Sequence, residues 1–209
     1  GFLLLALLSF PTNAQDLVKE IPVYKVISTD ERLKASEMDF SKTFLGDAED
    51  AELKELDDRY AIEANGKSME VYRSGGGIWY ADKNQLWNIS ITNASLPNES
   101  EAKEIADKFL RDRSLLPKSK IFNQTEPVLY VDYLGTGATK VKSYDLRNNT
   151  TEYIRQLDVQ VNYGLKVKVD DSNFPVVGGG GDISIVIGDQ GEITAYSGPM
   201  PGLEARLEG

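Results

Sequence analysis

One segment of this chain carries the periodicity of an α-helix, whereas most of the rest is patterned for β-strands. In residues 98–117 the apolar side chains recur at the i, i+3, i+4, i+7 spacing of a helix with one buried face. Asn98, with Glu101 three residues later, forms a capping-box start. We expect this helix to end at Leu115-Leu116-Pro117.

Alternating apolar and polar residues, separated by short turns, predict a succession of strands. These strands are expected at residues 20–28, 69–73, 78–81, 128–134, 138–145, 151–162, 167–169, 183–187 and 192–196. Several predicted strands in a row, after one helix, are typical of an antiparallel meander. The fold class is therefore predicted to be α+β, with antiparallel sheet and one amphipathic helix packed on a face.

The acidic stretch 47–58 is predicted to be helical rather than extended. Ala51, Leu53, Leu56 and Tyr60 fall loosely on one helical face, and Asn65-Gly66 supplies a stop signal. The stretch lacks the alternating acids and the turn glycine of an EF-hand loop, so we assign it no metal.

Composition shifts suggest four regions. We expect a signal-like apolar segment at 1–14, an amino-terminal α+β lobe at 15–95, a helix-plus-sheet unit at 96–198, and a tail or linker at 199–209. Residues 74–87 and 178–196 share an order of glycine run, strand, Asp-containing turn and strand, which favours two related lobes.

The chain contains neither cysteine nor histidine. Disulfides, Cys/His zinc sites and the Ser-His-Asp and Cys-His hydrolase mechanisms are excluded. A formal net charge of −10 with scattered Lys and Arg argues against nucleic acid as a partner. A carboxylate-pair glycan hydrolase stays open, but Trp79, Tyr80 and Trp87 are the nearest approach to a sugar platform, and at strand positions Trp79 and Trp87 are more often core. We therefore assign no catalytic residue and no cofactor.

Six asparagines lie in Asn-x-Ser/Thr sequons, whereas chance would produce about one or two. They are Asn88, Asn93, Asn98, Asn123, Asn148 and Asn149. This density predicts an exported protein carrying covalent N-glycans, extracellular or at the cell surface. The alternative is that they are ordinary turn asparagines. Asn98 is awkward, because it is also expected to cap the helix.

The apolar run at residues 2–10 has the length of a signal-peptide core and is too short to span a bilayer. Small residues before Gln15 fit a cleavage site, so we expect the mature chain to begin there, without an integral membrane span. The alternatives are a buried element of the fold, or a retained segment that docks into a neighbouring subunit.

Four consecutive glycines, Gly178, Gly179, Gly180 and Gly181, precede a β-patterned run. A phosphate loop leads into a helix, whereas here an acid and a strand follow. The run is expected to be a loop or bulge that needs glycine geometry. Its bare backbone is also a candidate docking edge for a partner strand.

The helix keeps the order A-x-x-I-A-x-x-F-L and the closing hairpin reads G-x-x-G-E-I. The residues are Ala102, Ile105, Ala106, Phe109 and Leu110, then Gly188, Gly191, Glu192 and Ile193. In these features residues 96–198 resemble PepSY-type and YycI-like extracytoplasmic modules. The resemblance implies a helix laid on a sheet and a non-enzymatic role, as an inhibitory or chaperoning prosegment, a sensor regulator or a surface interaction module.

These observations predict an exported, N-glycosylated, non-enzymatic protein-interaction module of PepSY-like regulatory or inhibitory type. Its partner is expected to be another protein or a second copy. The alternative is a structural subunit of an extracellular filament or surface layer, in which the next subunit holds the apolar amino terminus or a β edge.

Overall fold

The computed structural model describes residues 24–26, 44–46, 51–73, 77–91, 93–116, 128–169, 172–177, 181–199 and 205–207. The described part is mostly antiparallel sheet, with one long helix. In chain order its elements are β1 (Tyr24–Val26), β2 (Glu52–Glu55), β3 (Arg59–Ala64), β4 (Lys67–Tyr72), β5 (Gly77–Asp82), α1 (Glu99–Asp112), β6 (Val128–Gly137), β7 (Lys140–Asp145), β8 (Thr150–Gln156), β9 (Val159–Val169), β10 (Ser172–Pro175), β11 (Asp182–Ile187), β12 (Ile193–Pro199) and β13 (Ala205–Leu207). The α+β prediction is confirmed at this level, although strand predominates.

Nine of the described strands form one antiparallel sheet. Strand β9 pairs with β6 along one edge, and β10 and β11 pair with it in succession along the other. From β11 the sheet continues through β12, β5, β4 and β3 to β2. Because β12 pairs directly with β5, strands from the predicted lobes 15–95 and 96–198 lie in one sheet. The boundary between those regions stays a prediction.

A row of buried side chains crosses this sheet from β9 to β3 on a single face. Consecutive register partners in the row are Val161, Ile185, Tyr196, Tyr80, Met69 and Ile62. Helix α1 covers the same face, since the ring of Phe109 lies 5.9 Å from that of Tyr196. Phe44 lies beside both rings and beside Tyr80. Burial of each large apolar side chain contributes about 1.5–3 kcal/mol relative to exposure.

Both ends of α1 are defined by local hydrogen bonds. At the start, the predicted capping box is present: Glu101 N–H donates to the Asn98 side chain, and Asn98 N–H donates to the Glu101 carboxylate. At the end, Ser114 has a φ of 53°, and the N–H of Leu115 donates to the carbonyl of Leu110. This is a Schellman-type end, three residues before the predicted stop at Leu115.

The prediction of a helix at residues 47–58 is wrong for its described part. Residues 52–55 form β2, which pairs with β3 in a register that places Leu53 opposite Ile62. Intrinsic helix propensity is a weak preference that strand pairing overrides. Asn65 and Gly66 have φ values of 52° and 76°, the type I′ turn of a two-residue hairpin between β3 and β4. The same pair of residues therefore connects two strands and does not stop a helix.

The predicted single strand at 151–162 is divided. Strand β8 ends at Gln156 and β9 begins at Val159, so Leu157 and Asp158 lie between two separate strands. Strands β7 and β8 pair with each other in a separate two-stranded sheet. We call residues 140–156, comprising β7, its turn and β8, the arm.

The ends of the chain are described only in part. Strand β13, within the predicted tail, pairs with β1. The predicted signal segment 1–14 lies outside the described residues. Among the described helices, none is long and apolar enough to cross a bilayer.

Replacement of Gly66 by alanine is expected to destabilise the fold by about 1–2 kcal/mol, because a side chain is strained at positive φ. A Cβ atom there would also clash with the side-chain amide of Asn84. Chemical denaturation measures the effect. Gly137→Ala is the control, since its added Cβ would meet only ordinary contacts, the nearest at 3.6 Å. Equal stability of the two variants would contradict the turn assignment.

Candidate functional site

The predicted glycosylation asparagines lie on two surface segments. Three are in the loop of residues 83–98 between β5 and α1, which we call the sequon loop, and two are at the turn of the arm. Asn88 is partly buried, whereas the other four are exposed: Asn93, Asn98, Asn148 and Asn149. Asn123 lies outside the described residues. Exposure is the first requirement of a glycan acceptor, and each of these four meets it.

The side-chain amides of these asparagines differ in which atom is engaged. Asn98 caps the helix through Oδ1, which accepts from Glu101 N–H at 3.0 Å. A glycan is attached through Nδ2, so capping and glycosylation use different atoms and the expected conflict does not arise. At the arm turn, Asn149 likewise uses Oδ1, which accepts the hydroxyl hydrogen of Tyr144 at 2.5 Å.

In two other described sequons, those of Asn88 and Asn148, the side-chain Nδ2 atom itself donates a hydrogen bond. Asn88 Nδ2 donates to the carbonyl of Asn84 at 3.0 Å, and Asn148 Nδ2 donates to Asp145 at 2.6 Å. A glycan on either atom replaces one of that nitrogen's hydrogens and competes with the bond. The geometry therefore favours Asn93, Asn98 and Asn149 as acceptors over Asn88 and Asn148.

The arm leaves the main sheet but is held firmly at its base. Asp158 is 1% exposed, and its Oδ1 accepts from Thr139 N–H at 2.9 Å. Leu157 N–H donates to the carbonyl of Thr139 at 2.8 Å. Arg155 donates to the carbonyls of Ile91, at 2.7 Å, and Ile89. These bonds set the direction in which the arm leaves and tie it to the sequon loop.

Large apolar side chains are exposed beside the sequons. Leu146, in the arm turn, is 87% exposed and Tyr144 is 50% exposed. Trp87 is 55% exposed, and Ile89 is exposed on the other side of Asn88. Trp87 lies in a turn at a φ of 54°, so its predicted place in a strand core is wrong.

Trp79 is partly buried rather than core. It alternates along β5 with the buried Ile78 and Tyr80, and therefore lies on the sheet face opposite to α1. With Trp87 in a turn of its own, the sequence pattern of Trp79, Tyr80 and Trp87 does not form an aromatic platform on one strand face.

The glycine run lies in the sequence between β10 and β11, two strands that pair with the same edge of β9. Strands β10 and β11 run in the same direction along one edge of β9, and Leu165 lies between their pairing regions. Leu165 N–H donates to the carbonyl of Gly181 at 2.8 Å, and Val176 N–H donates to the carbonyl of Leu165 at 2.9 Å. The described chain is therefore bonded to β9 at Val176 and again at Gly181, which is buried.

Three of the four predicted docking-edge glycines lie outside the described residues: Gly178, Gly179 and Gly180. For these the docking edge stays a prediction. At Gly181 the carbonyl already accepts the bond from Leu165 within this chain.

A cleft of about 390 Å³ lies between α1 and β6, and no sequence signal pointed to it. Asp107 is held on both oxygens, by Tyr163 Oη at 2.7 Å and Lys103 Nζ at 2.6 Å. Tyr133 packs edge-on against Tyr163, and its hydroxyl donates to Glu99 at 3.0 Å. Two carboxylate–tyrosine bonds thus join the helix to the adjacent strands.

The electrostatics of this cleft fit an anchor rather than a proton donor. Burial by itself acts to raise the pKa of Asp107, but the hydrogen bonds from Lys103 and Tyr163 outweigh it and hold that pKa below its ordinary value. Burial, followed by the bond to Asp107, raises the pKa of the Tyr163 hydroxyl. An ionised acid beside a protonated phenol is stable at neutral pH and has no proton to give at Asp107.

The described residues contain no group of three or more Asp or Glu side chains placed to hold a metal ion. Comparisons with protein-family models, with curated proteins and with solved structures gave no match.

The bond network at Asp107 predicts a specific pH dependence of stability. A carboxylate whose folded pKa is depressed stabilises the fold above the unfolded pKa of about 4, and this contribution is lost as pH falls through the folded value. The difference in unfolding free energy between the wild type and Asp107→Asn should therefore be largest above about pH 5 and should shrink below about pH 4. Denaturation at a series of pH values measures it.

Tyr163→Phe is the matched variant for this prediction. It removes one of the two donors to Asp107 and so brings the folded pKa of that carboxyl closer to its unfolded value. The loss of stability on acidification should therefore be smaller than in the wild type and should be complete at a higher pH. If the difference in unfolding free energy between the wild type and Asp107→Asn stays constant from neutral to strongly acidic pH, Asp107 is not the titrating group.

Proposed function

We propose that this chain is an exported, N-glycosylated, non-enzymatic protein-interaction module that acts at or outside the cell surface. The observation that carries the proposal is the arm. An isolated two-stranded ribbon is marginally stable in water, yet this chain extends one away from its sheet and fixes its base with directed hydrogen bonds. The main core does not account for this ribbon, whereas contact with another molecule would give it a function.

The sequons support the glycoprotein part of the proposal. The five described sequons occur on two surface segments, the sequon loop and the arm turn, and Arg155 ties the base of the arm to that loop. The same segments expose apolar side chains, namely Trp87, Ile89 and Leu146. Attached sugars would shield these side chains from non-specific contacts, which gives the arrangement a physical rationale.

The PepSY-like regulatory or inhibitory role is the form of interaction that we favour. Its support is the order of elements: an amphipathic helix, then antiparallel strands, then the β11–β12 hairpin. Four of the five helix residues in the pattern, Ala102, Ala106, Phe109 and Leu110, are buried, and Ile105 is partly buried. At the hairpin, Gly191 has a φ of 77°, and a Cβ at Gly188 would crowd Thr194. Both glycines in the pattern therefore have a geometric reason.

A structural subunit of a filament or surface layer is the second candidate. One observation favours it: among the described residues, β2 pairs with β3 and its other edge has no strand partner. An unpaired edge offers backbone donors and acceptors to a strand of a neighbouring subunit.

Glycan occupancy and capping at Asn98 can be separated by three substitutions. Ser100→Ala destroys the sequon and keeps the cap. Asn98→Asp destroys the sequon and keeps a carboxylate that caps equally well, whereas Asn98→Ala loses both. In protein from the producing cells, each should lose the mass of one glycan, and only Asn98→Ala should be less stable, by about 1 kcal/mol, than the other two.

Mass spectrometry before and after glycosidase treatment measures occupancy, and denaturation measures stability. Wild-type protein from those cells that shows no mass shift would overturn the glycoprotein part of the proposal. Equal stability of the three variants would contradict the cap.

The arm is tested by photo-crosslinking in the producing cells. A photoreactive amino acid in place of Leu146, which is 87% exposed in the arm turn, should form an adduct with a protein partner. The same group in place of Glu104, on the exposed face of α1, is the control and should form none. Absence of any adduct from the arm position would overturn the arm as the contact surface.

A further inference from the structure

We propose that the arm of one copy pairs with the open edge of β2 in a second copy, so that copies associate head to tail. This inference rests on the proposed function, because it names the partner of the arm. The molecule that binds the β2 edge is a second copy of the same chain, and the argument rests on unpaired strand edges and on charge.

The β2 edge is accessible in the described structure. All four residues of β2 are exposed, and the strand is the last of the main sheet on its side. Its inner edge pairs with β3 from Glu52 to Glu55. The outer backbone groups have no strand partner among the described residues, and an added strand would satisfy them.

The β2 edge is strongly acidic. Residues 51–58 carry four acids and one lysine, a formal charge of −3: Glu52, Glu55, Asp57, Asp58 and Lys54. Arg73 pairs with Glu55 and Arg59 with Asp58, whereas Glu52 and Asp57 are exposed on the edge segment. Such an edge rejects acidic strands and attracts basic ones.

The first half of the arm has the complementary charge. Residues 140–149 carry Lys140, Lys142 and Arg147 against one acid, Asp145, a formal charge of +2 in a chain of −10. Lys140 and Lys142 are exposed and, two residues apart, lie on the same face of β7. Strand β7 pairs only with β8 among the described strands, so it too has an unpaired edge.

The two surfaces cannot meet within one molecule. The arm continues β6 and β9 at one side of the sheet, and six strand spacings separate β9 from β2, a distance of about 29 Å along the sheet. Strand β7, with six residues, is about 20 Å long. Contact between two different surfaces of identical copies is heterologous, so association continues into chains or closes into a ring.

Analytical ultracentrifugation of the purified glycosylated chain tests this inference. Average mass should rise with protein concentration at about 10 mM salt and fall towards the monomer at about 1 M salt, where charge is screened within about 3 Å. An arm variant, Lys140→Glu with Lys142→Glu, should associate at least about tenfold more weakly. An edge variant, Glu52→Lys with Asp57→Lys, should do the same.

Mixing the two variants provides the decisive measurement. In the mixture, the acidic arm of the arm variant meets the basic edge of the edge variant. The native basic arm of the edge variant meets the native acidic edge of the arm variant. Association should therefore return. Restoration also shows that both variants are folded. The control is Glu104→Lys with Asp112→Lys on exposed positions of α1, which changes net charge equally and should leave association intact.

The outcomes separate this inference from the proposed function. A chain that is monomeric at every concentration, together with an arm adduct to a different protein in cells, overturns self-association and leaves the interaction module standing. A monomeric chain with no adduct overturns both. Association that persists in both charge-reversed variants, or that the mixture fails to restore, overturns the arm-to-edge pairing.

Discussion

The pairing of β5 with β12 is the contact on which the rest of the structure depends. These strands are more than one hundred residues apart in the chain, and their register places Tyr80 opposite Tyr196. Both rings lie on the face covered by α1, where Phe44 packs against them. The pairing turns two groups of strands into one sheet, and the helix buries a row of side chains that neither group would bury alone.

A continuous core leaves the remaining elements free to serve the surface. The sequon loop leaves the sheet after β5, and the arm leaves between β6 and β9. Among the described side chains of these two segments, only Leu96, at the end of the loop, packs against the main core cluster. They are nevertheless tied to each other through Arg155 and to the sheet through Asp158. This combination of fixed direction and exposed surface suits recognition, and it leaves β2 at the opposite side of the same sheet as a second surface.

Several features were predictable from sequence because short-range chemistry sets them. The start of α1 follows from Asn98 and Glu101, which bond to each other's backbone within one turn. The strands at 183–187 and 192–196 were predicted within a few residues, since alternation and the intervening turn are local signals. The helix predicted at 47–58 failed because its acids and leucines favour a helix locally, while pairing with β3 decides otherwise. Asn65-Gly66 does form a turn, but the turn connects β3 and β4, whereas the sequence pattern was interpreted as the end of a helix.

By itself the sequence determined the element types with strong periodicity, the absence of thiol and imidazole chemistry, and the positions of the sequons. These depend on residue identity and on neighbours within a few positions. Only the tertiary structure decided that β8 and β9 are separate strands, divided at Leu157 and Asp158, so that an arm forms. It also decided that Asn98 caps the helix through Oδ1, which leaves Nδ2 for a glycan. The position of an acidic strand at the end of the described sheet is a third such feature. Each of these depends on contacts between residues distant in the chain, and no local pattern encodes which distant strand, donor or side chain arrives there.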